Sequence, residues 1–218
     1  MFRRQLIQTT GALSVALALP MPSFAQQQQQ RGFQEGADFV ALDKRVPGDN
    51  STEKVEVIEF FWYNCPHCNA FEPRLEQWAA ALPKGVTLRR MPVAFRDEFI
   101  AQQQLFYALE AMGKVNELHK KVFYAIHVEK RKLESQAAIG EWIATQGVDK
   151  KKFDELFKSF AVQTKAKRAK KMQDDFKVSG VPSLGIAGRF YTDGAMAQSM
   201  ERALQVTDFL IAEVKKGR

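Results

Sequence analysis

The chain holds two cysteines in 218 residues, and they stand three positions apart, in Cys65-Pro66-His67-Cys68. Two cysteines placed at random fall at this spacing about one time in a hundred. On a helix, residues i and i+3 share a face, so the two sulfurs can meet. As a structural staple the bridge would do little. Closing so short a loop restricts the unfolded chain by only ~2 kcal/mol in the chain-entropy model, against ~3 for fifteen residues. A pair that stabilises little is suited to being opened and closed by thiol–disulfide exchange. Other cysteine chemistries fit less well. Haem attachment needs a histidine directly after the second cysteine, and Asn69 stands there. Zinc would need two further ligands, and the histidines are His67, His119 and His127 alone. Two cysteines also exclude a disulfide-dense scaffold and an iron–sulfur cluster within one chain.

The elements that must position this pair are legible on either side of it. Val55 to Phe61 is β-branched and aromatic, with apolar residues on both faces, which predicts a central strand covered on both sides. Glu59 interrupts that pattern. A strand-end acid turned to water is one reading; its apolar neighbours favour a buried one. After Trp62-Tyr63-Asn64, the recurrence of Cys68, Phe71, Leu75, Trp78 and Leu82 predicts a helix with one apolar stripe, ended by Pro83-Lys84-Gly85. Pro73 inside it removes one backbone bond and is expected to kink it. Pro66 suits the first helical position, which makes Cys65 the N-cap, beside unpaired backbone N–H groups and the positive end of the helix dipole. That environment favours the Cys65 thiolate, and a cationic His67 would add to it. A stabilised thiolate makes the reduced state favourable and the disulfide an oxidant. Cys65 is then the attacked sulfur, and Cys68, one turn deeper, the resolving one.

The segment from Glu59 to Cys68, Glu-Phe-Phe-Trp-Tyr-Asn-Cys-Pro-His-Cys, resembles the active-site segment of the DsbA family, periplasmic thiol:disulfide oxidoreductases with a thioredoxin fold. The Pro-His dipeptide between the cysteines is the specific part. Ser179-Gly180-Val181-Pro182-Ser183 resembles the family's loop, in which a cis-proline faces the cysteines. The order and spacing of the two motifs match as well. The resemblance implies that Glu59 lies under the cysteine pair and helps to move the proton of the buried thiol. It also implies that the backbone of Val181, ahead of Pro182, pairs with an extended substrate peptide. Arg90 occupies a position where the family often has a base near this acid; a plain strand-surface arginine is the other reading. Reduced secreted proteins would be the substrates and a DsbB-like membrane protein the reoxidant, with no metal or organic cofactor. After Pro182 the chain departs from the usual pattern. Leu184-Gly185-Ile186-Ala187-Gly188-Arg189 has an extra glycine in the strand and an Ala-Gly turn, which bears on the shape of the substrate groove.

The rest of the chain reads as an α/β fold, thioredoxin-like, with an inserted α-helical subdomain. Residues 1–25 have the form of a cleaved export signal: Arg3 and Arg4, an apolar stretch from Ala12 to Leu19, and Ser23-Phe24-Ala25 as the cleavage site. Residues 26–31 are a polar spacer. Residues 32–96 form the first part of the thioredoxin-like domain, with a short edge strand near its start and a second strand at Val86 to Val93. Residues 97–176 are helical throughout: Ser135 and Asp149 are candidate N-caps, Gly113 and Gly147 stops, and Phe153, Phe157 and Phe160 one apolar stripe. Residues 177–218 complete the domain with a hairpin across Ala187-Gly188 and a last helix.

Lysine and arginine number 32 against 25 acids, a net charge of +7. The densest basic run, Lys165 to Lys171, reads as a solvated helix face, so no nucleic-acid partner is expected. His119 and His127 lie on helical segments and read as surface or packing residues. Together these features predict a periplasmic, monomeric dithiol oxidase. Two alternatives stand beside it: an isomerase or reductase of the same fold, and a non-catalytic peptide-binding or chaperone module.

Overall fold

The computed structural model describes residues 32–48 and 50–218. The expected export signal and spacer, residues 1–31, lie outside the described residues. Strand β2 (Val55–Phe61) forms as its composition demands, and its side chains are buried on both faces. Val55 and Val57 face one core with Phe71, Leu75, Leu184 and Leu210. Ile58 and Phe60 face the other, with Leu105, Phe123 and Phe176. This is the period-two alternation of a strand with cover on each side.

Around β2 the sheet is assembled from β1 (Val40–Ala41), β3 (Val86–Pro92), β4 (Ser183–Ile186) and β5 (Phe190–Asp193), in the order β1-β5-β4-β2-β3. The β2–β3 pair is parallel. The others are antiparallel, with Phe60 opposite Ser183. The parallel pair needs a crossover, and α1 (Pro66–Ala80) supplies it. This helix stops before Leu82, which packs on the core from beyond its end, and Pro73 sits inside it without ending it.

Between β3 and β4 lies the helical insert: α2 (Ile100–Ala111), α3 (Val115–His127), α4 (Gln136–Thr145), α5 (Lys150–Phe157) and α6 (Phe160–Asp175). Ser135 and Asp149 cap α4 and α5, accepting from the N–H groups of Ala138 and Lys152 at 3.3 and 3.1 Å. The aromatic stripe is shorter than expected. Phe153 and Phe157 are buried, but the chain turns at Lys158 and Ser159, and Ser159 caps a new helix. Phe160 therefore starts α6 on a different face and is 85% exposed.

The β4–β5 hairpin turns on Ala187 and Gly188, both at positive φ (54° and 64°), the turn whose twist matches that of the strands. A side chain at Gly188 would meet the carbonyl of Val46. Gly185, the extra glycine of the strand, is filled by its neighbour: a Cβ there would lie 2.4 Å from the ring of Phe176. Helix α7 (Met200–Lys215), capped by Ser199, covers the sheet on the β4–β5 side. No helix among the described residues is long and apolar enough to cross a membrane.

Candidate active site

The end of β2 delivers the chain to the cysteines through a turn held from outside. The Trp62 ring stacks on Phe99 at 3.8 Å, and the Cys65 N–H donates to the Trp62 carbonyl at 3.0 Å. Tyr63 is buried completely. Its hydroxyl lies 2.8 Å from Nδ1 of His119, and its carbonyl accepts from Nε2 of His127 at 2.8 Å. Both histidines belong to α3, so the insert grips the residue two before Cys65. His119 is thus a packing residue, as the helical pattern suggests, and in addition a polar partner of Tyr63. His119 is 3% exposed and bonded into a polar cluster, and the bond from His127 ties α3 to the turn.

Cys65 is the N-cap of α1 and Pro66 opens the helix; no side chain caps it. Pro66 and His67 are exposed, whereas Cys65 is 7% exposed and Cys68 fully buried. The two thiols are unbonded. They differ sharply in acidity. The Cys68 thiol donates to the Cys65 sulfur, and this, with the N–H groups of Cys68 and His67 and the charge of His67, lowers the Cys65 pKa to about 6 against the cost of burial. Burial pushes Cys68 far in the other direction, helped by the hydrogen bond it gives to Cys65 and by the Cys65 charge. At neutral pH the pair is a thiolate beside a thiol.

The loop before β4 meets this helix start. The Cys65 sulfur lies 3.4 Å from the Val181 carbonyl oxygen, and the Val181–Pro182 peptide is cis. A groove of about 410 Å³ opens beside them, with His67, Val181, Pro182, Asp193, Ala195 and Met200 in its wall. Leu184 to Arg189 take no part in that wall. The extra glycine serves the packing of Phe176 instead, so the sequence departure leaves the groove's lining untouched.

Beneath the pair lies a cluster of buried ionisable groups. Glu59 is 0% exposed, pairs in register with Arg90 on β3, and has neither carboxylate oxygen hydrogen-bonded. The reading of a strand-end acid turned to water is thus ruled out. Burial first, then the charge of Glu72, push its pKa well up; Arg90, whose Nε is 3.4 Å away, works against them. Glu59 also acts electrostatically on Cys68. Arg90 is no strand-surface arginine. It is 19% exposed in its side chain and hydrogen-bonds Glu72 through Nη2.

Sequence reasoning missed Glu72. A signal was present: Glu72 follows Cys68 by one helical turn, so it is an acid on the apolar stripe of α1. Among the described residues no group of three His, Cys, Asp or Glu side chains could hold a metal ion.

Comparison with known proteins agrees with this geometry. The family model described as DSBA-like thioredoxin domain matches residues 56–205. The thiol:disulfide interchange protein DsbA of Bordetella parapertussis is 40% identical over 208 residues, covering 95% of this chain and 97% of that protein. The protein of the same name from Burkholderia cepacia is 41% identical over 180 residues, covering 83% and 85%. The crystal structure of Pseudomonas aeruginosa DsbA superposes with a TM-score of 0.80 at 36% identity, covering 85% of this chain and 96% of that one. The chain belongs to the DsbA family: it is a thiol:disulfide oxidoreductase with a thioredoxin-like α/β fold and a helical insert.

Proposed function

We propose that the protein works in the oxidising direction, donating a Cys65–Cys68 disulfide to reduced secreted proteins in the periplasm. The observation that carries this reading is the split acidity of the pair, with Cys65 near 6 and Cys68 driven high. An attacked sulfur that is stable as a thiolate is a good leaving group, and it favours the reduced enzyme over the disulfide.

A substrate thiolate attacks the Cys65 sulfur; the Cys65–Cys68 bond breaks, and Cys68 leaves as a thiolate that takes a proton from Glu59. The second substrate thiolate attacks the substrate sulfur of the mixed disulfide. Cys65 then leaves as the thiolate favoured at the helix start. The substrate loses two electrons and the enzyme pair gains them. Val181 and Pro182 form the platform for the substrate chain, whose backbone is offered the Val181 carbonyl as an acceptor. Pro66 and His67 set the helix start and its charge. A DsbB-like membrane protein accepts the two electrons and restores the disulfide. No metal or organic cofactor is required, and the protein acts as a monomer. Residues 1–25 serve as the cleaved export signal and 26–31 as a spacer, with 32–96 and 177–218 forming the redox domain around the insert 97–176.

The test is stoichiometric. The oxidised protein is mixed with a reduced dithiol peptide, and the thiols on each are counted after acid quenching. Transfer of one disulfide per protein, with the equilibrium against glutathione lying on the side of reduced enzyme, is the expected result. An equilibrium favouring oxidised enzyme would instead identify a reductase, and no transfer would identify a binding module.

A further inference from the structure

The cluster under the cysteines holds more acid than base. Glu59 and Glu72 face the single guanidinium of Arg90, and Glu59, Glu72 and the ring of His119 are almost wholly buried. Ionising both acids would leave a net negative charge in the interior, which is costly, so the cluster keeps one proton. The proton resides on the acid with fewer donors. Glu72 has two near its Oε1: the Arg90 Nη2 hydrogen bond, and His119 Nε2 at 3.4 Å. That second distance gives a Coulombic contact rather than a full hydrogen bond. Glu59 has no hydrogen bond on either oxygen and one such contact, from Arg90 Nε at 3.4 Å, so it is the acid with fewer donors.

The state of the His119 ring follows from its two sides. Burial raises the pKa of Tyr63, so the phenol stays protonated; because Nε2 faces a carboxylate oxygen of Glu72, which only accepts, Nδ1 takes the hydrogen bond from the phenol across 2.8 Å. The ring proton is then on Nε2, the nitrogen facing Glu72. Phe61, Phe106 and Phe123 pack against the imidazole with centroids 5.2, 6.0 and 5.2 Å away, fixing its plane. The remaining charges near the ring are accounted for. Glu76, one turn beyond Glu72, pairs with Lys120, and on β3 there is Arg90.

We propose that His119 is a positioning residue for the proton step at Cys68: reaching in from the insert, it holds Glu72 as the carboxylate and so leaves the cluster's proton on Glu59. The proposal rests on the reading that Glu59 exchanges a proton with Cys68. It gives the insert a direct part in the redox chemistry, since the same ring also fixes Tyr63 two residues before Cys65.

The experiment locates the proton and then reads its consequence. In infrared spectra of the oxidised protein at neutral pH, the protonated-carboxyl stretch should vanish in Glu59→Gln. In His119→Leu, with both acids still present, the proton should spread to Glu72, so that the stretch moves or broadens as a second carboxyl environment fills. His119→Gln, whose amide N–H can donate to the same oxygen, should restore the wild-type pattern. Single-turnover oxidation of a reduced dithiol peptide should slow by about threefold to tenfold in His119→Leu and recover in His119→Gln. In the Glu59→Gln background, His119→Leu should add nothing. If His119→Leu does not fold, Tyr63→Phe, which removes the hydroxyl that donates to Nδ1, should move the stretch in the same direction by less. A stretch that stays wholly on Glu59 without His119, or without the Tyr63 hydroxyl where only that variant folds, overturns the proposal. So does an equal slowing with Glu59 already replaced. If Glu59→Gln alone oxidises peptide at the wild-type rate at every pH, the underlying reading of Glu59 fails too, and that result is separate from where the infrared band lies.

Discussion

The Cys65 sulfur lies 3.4 Å from the carbonyl oxygen of Val181, 116 positions further along the chain. Sheet topology brings them together. β2 and β4 are antiparallel neighbours with Phe60 opposite Ser183, so the end of one strand and the start of the other share an edge. Whatever follows β2 must face whatever precedes β4. The thiolate thus sits between a helix start, which supplies N–H groups, and a loop, which supplies an acceptor for an incoming chain.

In the reduced protein Cys65 should alkylate with iodoacetamide along a curve whose midpoint is about 6, the pH at which its thiol ionises. Cys68, buried and driven far above the usual thiol range, should stay unlabelled in the native state. Mass mapping after brief labelling decides the matter: modification of Cys68 first would reverse the assigned roles.

The same acidity links stability to pH. The folded Cys65 ionises near 6 against an ordinary 9.0. A thiol made more acidic by folding stabilises the fold fully above its unfolded pKa, and the contribution is lost as pH falls through the folded one. The oxidised protein has no such group. The reduced form should therefore melt above the oxidised form near pH 9, before ionisation of the unfolded Cys68 begins to oppose it, and the gap should narrow as pH drops from about 9 to about 5. Paired thermal melts would contradict this if the gap were constant across that window.

Much of this site was legible before any fold was known, because it is built from local signals. Pro66 after Cys65 marks a helix start, and the both-faced apolar run of Val55 to Phe61 marks a central strand, so the placement of the cysteine pair follows. Glu59 stood out as an acid in that run. What could not be read was the partnership of distant groups. Arg90 looked equally like a surface arginine, because a strand residue's cover depends on which helix crosses it. His119 and Tyr63 meet across 56 positions, and nothing in a helical stripe tells which polar residue will be enclosed. Glu72 is hidden for the opposite reason: a lone acid beside an apolar stripe reads as its solvated margin, and only the packing of α3 and β3 against α1 encloses it.

Phe157 and Phe160 offer a matched pair, three residues apart and opposite in burial. Phe157 is 4% exposed and its ring meets Phe153 at 5.7 Å. Its replacement by Ala should cost about 3–5 kcal/mol. Phe160, 85% exposed, should accept Ser within about 0.5 kcal/mol. Urea midpoints at constant m-value measure both. A large loss at Phe160 would show that its ring is covered in solution.

The last prediction concerns the glycine that breaks the strand pattern. Gly185 lies in β4, opposite Ile58 of the central strand, and Phe176 comes down on it from the end of α6. A methyl group there would fall 2.4 Å from one ring carbon of Phe176 and 2.8 and 2.9 Å from two more. The ring has little room to yield, since it is 1% exposed and packs against the ring of Phe60 at a centroid distance of 5.3 Å. Gly185→Ala should therefore overpack the interface between sheet and insert and cost about 1–3 kcal/mol. Trimming the opposing ring creates the missing space. Adding Phe176→Leu to Gly185→Ala should then cost less than the sum of the two single changes, the coupling expected of residues in contact. The rate of disulfide transfer at a temperature where all the variants are folded should not change, because Gly185 is absent from the groove beside Cys65. Urea denaturation of the four proteins in the cycle checks the first claim, and peptide oxidation checks the second. Strict additivity would mean that the ring and the glycine do not share this space.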